Sequence, residues 1–269
     1  MISFVGAGPG APDLITVRGA ARLAAAEVVV WASSLVPAAV LDHAPPGVAL
    51  HDSAAMTLED VLAVYEANPD AAIVRLHSGD PSIYGAIQEQ LAWCTTYGRS
   101  WEVVPGVTSL AAAAAALGRE LTIPSVSQSV VLTRLAGRTS ASMPAGESVA
   151  AFAAHGATMA VFLSAARPAD LQAELLAVGS SYAADTPAAI VIRASWPDER
   201  IIRTTVGCLA DDLTASGTTM TVLVLVGEAL RDVAPPARSH LYAPSYAHSY
   251  RRRSTSGSTT GRPVARRPR

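Results

Sequence analysis

The residues best suited to chemistry in this chain gather into three short turns. Gly6-Ala7-Gly8-Pro9-Gly10-Ala11, Ser78-Gly79-Asp80-Pro81-Ser82-Ile83-Tyr84-Gly85 and Pro105-Gly106-Val107-Thr108-Ser109 each combine glycine with proline. Glycine lets backbone amides and carbonyls approach a ligand closely, and proline fixes the path of the loop. Asp80, Thr108 and Ser109 add polar handles, which suits binding of a small organic ligand largely through the main chain. Asp80, directly before Pro81, reads equally as a turn former. The histidines (His43, His51, His77, His155, His240, His248) are scattered. No His-x-x-x-His pair or carboxylate cluster has metal-ligand spacing, so no metal is expected. His77, beside the second turn, is the one histidine considered as a proton acceptor, against a structural imidazole.

The first turn formally satisfies the dinucleotide pattern G-x-G-x-x-G/A. Two features oppose that reading. Pro9 and Pro12 keep the backbone extended until about Thr16, so the helix that would hold a pyrophosphate starts too late. The second strand, Val28-Val29-Val30-Trp31-Ala32, ends without the acid that would grip a ribose. A nucleotide-dependent oxidoreductase is therefore the alternative, and the commonest glycine-loop methyltransferase fold is weakened by the same missing acid.

The elements that must position these turns alternate. Strands are expected at Ile2–Val5, Val28–Trp31, Ala72–His77 and Trp101–Val104, with helices at Thr16–Ala26, Thr57–Glu66, Ile87–Tyr97 and Ser109–Leu117. This βαβα order implies a mostly parallel sheet covered on both faces, with all three turns at C-terminal strand ends, where open α/β sheets bind ligands. The stripe from Leu58 to Tyr65 and the alanine helix read as core. After residue 118 the pattern restarts. Strands at Ser129–Thr133, Thr158–Leu163, Ala188–Ile192, Ile201–Thr205 and Thr219–Val226 mix with helices at Glu147–Ala154, Ala169–Val178 and Leu209–Ala215. The Ser195-Trp196-Pro197-Asp198 turn makes part of this sheet antiparallel. The expected fold class is thus α/β, with two α/β domains (1–118 and 129–235), a linker at 119–128, a tail at 236–269 and a cleft between the domains.

These three turns, with Glu120-Leu121-Thr122-Ile123-Pro124, Ser127-Gln128, the Leu132-to-Thr139 segment and Ala194-Ser195-Trp196-Pro197-Asp198-Glu199, resemble the tetrapyrrole methylase family over about residues 1–230. The resemblance implies a two-domain methyltransferase, usually a homodimer, that binds S-adenosyl-L-methionine in the interdomain cleft. It implies cofactor contacts from Pro9, Ser78, Gly79, Asp80, Ile83, Thr108 and Ser109, and from Leu163, Ala194, Thr219 and Met220 in the second half. The activity it implies most closely is methylation of carbon 11 of precorrin-4. Methylation at another step, on uroporphyrinogen III or precorrin-3, is the alternative within the family.

Charge and composition bear on the substrate. The chain of 269 residues is 50% hydrophobic and 16% charged, which excludes general disorder. No apolar run is long enough to span a membrane, and the N-terminus opens into a strand without a secretory pattern, so a cytoplasmic protein is expected. All 20 basic residues are arginines, and seven of them lie in the last nineteen positions, which leaves 13 against 22 acids elsewhere. Such a tail, rich also in Ser, Thr and Gly, is expected to be disordered. An acidic body does not suit a nucleic-acid enzyme, and an adaptor acting through the tail is the weakest reading. A tetrapyrrole acid must meet local arginines, whose planar fork pairs with carboxylates. Arg134 and Arg138 are the first candidates, with Arg119 third. Cys94 and Cys208 form no pair motif and are expected to be two buried thiols.

Overall fold

The computed structural model describes residues 1–136, 143–144 and 146–232, with positions 239, 241, 243, 246, 247 and 249. Arg138 and the terminal arginine cluster lie outside the described residues. The first half contains strands β1 (Ile2–Gly6), β2 (Val28–Trp31), β3 (Ala49–Asp52), β4 (Ile73–His77) and β5 (Trp101–Val104). Its helices are α1 (Val17–Ala24), α2 (Leu58–Ala67), α3 (Gln88–Thr96) and α4 (Ser109–Leu117). The strands form one parallel sheet in the order β3-β2-β4-β1-β5.

Alternation along these strands sends side chains to opposite faces. Phe4, Val28, Val30 and Ile73 pack with Val61, Val64, Tyr65 and Cys94 of α2 and α3. Val5, Val29, Val74 and Leu76 pack with Leu23 of α1 and with Val36 and Val40. The chain therefore leaves β1 over one face and β4 over the other, and the crevice between these neighbouring strands is a topological switch point. The backbone is not extended up to Thr16 as expected: Pro12, whose fixed φ suits a first helical position, opens a single 3-10 turn over Pro12–Leu14, and α1 begins only at Val17, capped by the Thr16 hydroxyl. β3 was not anticipated: Ala49-Leu50-His51-Asp52 holds no β-branched residue and forms a largely exposed edge, ordered by pairing with β2.

The second half contains β6 (Val130–Arg134), β7 (Thr158–Phe162), β8 (Pro187–Ile192), β9 (Arg200–Thr205) and β10 (Val222–Val226), in the order β6-β7-β10-β8-β9. β6 and β7 are parallel and the remaining pairs are antiparallel. Helices α5 (Val149–Ala153), α6 (Pro168–Leu175) and α7 (Leu209–Ala215) cover one face with Met159, Val161, Ile190, Ile192, Val224 and Val226. α4 covers the other face. Although it follows the first sheet in sequence, its Ala112, Ala113 and Leu117 pack on Ala160, Ala189, Val191, Leu223 and Leu225. Small residues on both surfaces allow that close approach, and Gly118 ends the helix in the left-handed conformation (φ 63°). β10 starts at Val222, three residues later than expected, because Thr221 adopts φ 55° and breaks the strand. Cys94 is buried as expected, whereas Cys208 is exposed, since it precedes α7 and the buried side chains there are Val206 and Leu209.

Candidate cofactor cleft

The three turns meet at the C-terminal edge of the first sheet and are fastened to one another. Gly8 and Gly79 exchange backbone hydrogen bonds (2.8 and 3.3 Å), and the Ala7 amide donates to the His77 carbonyl at 2.8 Å. A Cβ on Gly6 would lie 2.5 Å from Gly106 Cα, and one on Gly106 would lie 2.0 Å from Gly79 O. Glycine at 6 and 106 is therefore required by the mutual approach of three backbones. The Asp80 carboxylate accepts from the Gly106 amide (2.8 Å), the Ser82 amide (2.8 Å) and the Ser82 hydroxyl. Burial opposes its ionisation, but these hydrogen bonds hold its pKa below the usual carboxylate value. The Thr108 hydroxyl caps α4 by accepting from the Ala111 amide. Asp80 and Thr108, both expected to meet a ligand, thus build the loops, and the amides of Gly8, Gly79 and Gly106 are spent on holding the turns together.

The facing edge comes from the second sheet. Leu163 follows β7, Arg193 and Ala194 follow β8, and Thr219 to Thr221 precede β10. The Arg193 amide donates to the Thr221 carbonyl at 2.8 Å, joining two of these ends. Leu163, Arg193, Ser195 and Thr221 have positive φ (51 to 64°), as do Tyr84 (55°) in the second turn and Ala86 (49°) just after it. Non-glycine residues enter this region at a cost of about 1–2 kcal/mol, and such strain clusters at ligand sites. Leu163 and Met220, each 71% exposed, and Tyr84, 48% exposed, present apolar surface. Tyr84 packs on Phe162 with ring centroids 5.2 Å apart.

The sites expected from sequence distribute unevenly. Pro9 and Gly79 are buried in the turns, Asp80, Ile83, Thr108 and Ser109 are half-buried, and Ser78 is exposed. Ala194 is buried, while Leu163, Thr219 and Met220 are exposed. Arg134 ends β6 opposite Phe162. Burial raises the Tyr84 phenol, and the Arg134 charge partly offsets that rise. Arg119 points elsewhere: its Nη2 donates to the Arg231 carbonyl (2.6 Å) and to Asp232 (2.8 Å). His77 is buried against Phe4, its Nε2 has no hydrogen-bond partner, and burial with the Arg75 charge pushes its pKa down to about 3. It is a neutral imidazole. Sequence reasoning missed the Trp196 side chain, which reaches the first turn, and Arg75, a mostly buried guanidinium held by Ser53 Oγ at 2.8 Å. Trp196 is legible in the sequence only as part of its turn, and nothing local signals its reach to the first turn or the burial of Arg75.

One surface cavity of about 420 Å³, lined by Leu41, Pro45, Pro46 and Leu50 among others, sits by the segment leading into β3 and takes no lining residue from the three turns. Among the described residues, no group of three His, Cys, Asp or Glu side chains is gathered to hold a metal. The cleft is bordered by the interlocked glycine turns on one side and by exposed apolar side chains on the other. Exposed apolar side chains beside a tightly packed backbone suit a flat organic group held largely by contact area.

Comparison with known proteins agrees with this geometry. A precorrin-4 C(11)-methyltransferase of Sinorhizobium sp is 43% identical over 254 residues, covering 94% of this chain and 98% of that one. The solved structure of a cobalt precorrin-4 methyltransferase superposes with a TM-score of 0.81 at 42% identity, covering 86% of this chain and 95% of the other. The uroporphyrin-III C-methyltransferase of Thermus thermophilus, solved with S-adenyl homocysteine, superposes with a TM-score of 0.71 at 27% identity, covering 86% and 93%. The model of the Tetrapyrrole (Corrin/Porphyrin) Methylases matches residues 1–210. With that match, and with relatives aligned along nearly its whole length, the chain belongs to the tetrapyrrole (corrin/porphyrin) methylase family.

Proposed function

We propose that this protein transfers the methyl group of S-adenosyl-L-methionine to carbon 11 of precorrin-4, or of its cobalt complex, in cobalamin biosynthesis. The observation that carries the substrate is the difference in similarity: 43% and 42% identity to proteins named for the precorrin-4 step, against 33% and 27% to proteins named for uroporphyrinogen III or uroporphyrin III. The cofactor reading draws on the relative solved with S-adenyl homocysteine and on the fit of the cleft.

Bound S-adenosylmethionine supplies a methyl group already activated by its positive sulfur. What remains for the chain is orientation, and holding two reactants in line is worth about 7–11 kcal/mol. In this reading Pro9, Ser78, Gly79, Asp80, Ile83, Thr108 and Ser109 form the cofactor's floor. Leu163, Ala194, Thr219 and Met220 form its opposite wall, and the exposed apolar side chains of Leu163 and Met220 lose water when it is covered. Arg134, beside the Tyr84 and Phe162 rings, meets a substrate carboxylate. Arg119, tied to Asp232, is the weaker candidate for that role. His77, buried and with its pKa pushed down to about 3, is too weak a base for the proton acceptor's role. A homodimer belongs to the same reading. So does a cytoplasmic location, with which the finding that no helix among the described residues is long and apolar enough to cross a membrane agrees.

The test is calorimetric titration with S-adenosylhomocysteine, with NADH and NADPH in parallel, followed by turnover of precorrin-4. Micromolar binding of the thioether alone (about −8 kcal/mol) and a product methylated at carbon 11 are expected. Binding of nicotinamides alone would restore the oxidoreductase reading. Methylation of uroporphyrinogen III or precorrin-3 would move the enzyme to another step.

A further inference from the structure

Gly10 is a glycine for a reason the sequence motif does not contain. A Cβ at this position would lie 2.2 Å from Cδ1 and 2.6 Å from Nε1 of Trp196, and 3.0 Å from the Ala194 carbonyl. An indole from the second sheet occupies the space of the missing side chain. The same indole donates its Nε1–H to the Pro9 carbonyl at 2.9 Å, and the Ala11 amide donates to Ser195 Oγ at 3.0 Å. The β8–β9 turn thus engages polar groups on both sides of Gly10. These bonds link residues 187 and 184 positions apart.

The turn is built to aim that indole. The Arg193 guanidinium lies 3.9 Å above the Trp196 ring and is itself paired with Asp198 at 2.7 Å. The Ser195 amide donates to Glu199 Oε2 at 2.6 Å, and the Trp196 amide donates to the Arg193 carbonyl at 2.9 Å. Arg193 and Ser195 both hold positive φ, strain that persists only where surrounding contacts over-determine it. Pro9 in turn neighbours Gly8, which is bonded in both directions to Gly79. A displacement of Pro9 is therefore passed to the Ser78–Asp80 turn.

From this we infer that Trp196 is a positioning residue. Its indole latches the second sheet onto the Pro9 turn and so sets the width and register of the cleft. The inference rests on the cofactor reading above, because the quantity the latch controls is the fit of S-adenosylmethionine between the two walls. Trp196 acts through Pro9.

The test is titration of S-adenosylhomocysteine into wild-type protein, Trp196→Phe, Trp196→Ala, Gly10→Ala and the Gly10→Ala/Trp196→Ala double variant, with melting temperatures recorded for each. Trp196→Phe keeps a ring but removes the donor, and affinity is expected to fall about tenfold, the worth of one hydrogen bond. Gly10→Ala drives its methyl into the indole and is expected to bind more weakly still. In the Trp196→Ala background that collision is gone, so the Gly10→Ala penalty in affinity should largely vanish, a coupling that a general loss of stability would not produce. Thr57→Ala, which removes a helix cap that makes no bond to the three turns, should lower the melting temperature with unchanged affinity. Wild-type protein that binds no thioether overturns the cofactor reading, and the latch with it. Wild-type binding with Trp196→Phe unchanged, or with additive Gly10 and Trp196 effects, overturns the latch alone. If Trp196→Phe does not fold, Ser195→Ala removes the second bond, and unchanged affinity in that variant also counts against the proposal.

Discussion

The carboxylate of Asp80 accepts a hydrogen bond from the Gly106 amide at 2.8 Å, fastening the turn after β4 to the turn after β5 across the intervening β1. Asp80→Asn keeps the shape but loses the charge and one acceptor, and hydrogen bonds to charged groups are worth about 1.5–3 kcal/mol. We expect about 2 kcal/mol lower stability by urea unfolding and at least a tenfold weaker S-adenosylhomocysteine titration. Wild-type affinity in Asp80→Asn would show that the clamp is dispensable.

Gly106→Ala tests the crossing of the three backbones. Its Cβ would stand 2.0 Å from Gly79 O and 2.7 Å from Gly6 Cα, atoms that cannot swing aside as a side chain would. Overpacking of this kind costs about 1–3 kcal/mol or more. Thermal unfolding should show a lower midpoint, and titration should show weakened thioether binding.

Arg134 and Arg119 separate binding from architecture. Arg134→Ala should raise KM for the tetrapyrrole about tenfold or more while leaving S-adenosylhomocysteine affinity unchanged, as expected for a lost carboxylate contact. Arg119→Ala instead removes bonds to the Arg231 carbonyl and Asp232, so its effect should appear in unfolding curves with KM little altered. Steady-state kinetics on both variants decides between them.

His77 makes stability depend on pH in a definite window. Its pKa is pushed from 6.5 down to about 3 in the folded protein by burial and by the Arg75 charge. Above pH 6.5 neither state binds the proton and stability is full. As pH falls from 6.5 toward 3 only the unfolded chain gains the proton, so stability is lost at up to about 1.4 kcal/mol per unit. Asp80, whose folded pKa is lowered, adds a loss confined to pH below its ordinary value near 3.8. Urea unfolding at pH 7, 6, 5 and 4 should show the decline, and a folded His77→Gln variant should flatten it.

Thr57 and Asp60 form a capping box at the start of α2, the helix that follows the edge strand β3, and none of its hydrogen bonds reaches the three turns. Thr57→Ala should lower stability by about 1 kcal/mol and leave turnover unaltered. A change in kcat would mean that α2 communicates with the cleft.

Much of this architecture is legible in the sequence because its causes are local. Alternating apolar residues in Val222–Val226 send Leu223 and Leu225 to α4 and Val224 and Val226 to the opposite helices. The late start of α1 follows from Pro9 and Pro12, and Thr16 marks the cap. The glycine turns announced a ligand edge, since the strand–turn–helix order of a parallel sheet brings C-terminal strand ends together. Tertiary structure alone decided the rest. Ala49–Asp52 becomes a strand only because β2 offers an edge, Arg119 is drawn to Asp232 across 113 residues, and Asp80 is turned inward by Gly106. The indole that makes Gly10 a glycine arrives from 187 residues away in the hydrogen bond to Pro9. Periodicity and capping act within about one or two turns of chain. A contact closed between two sheets is chosen by how their surfaces meet, and it leaves no mark on the residues beside it.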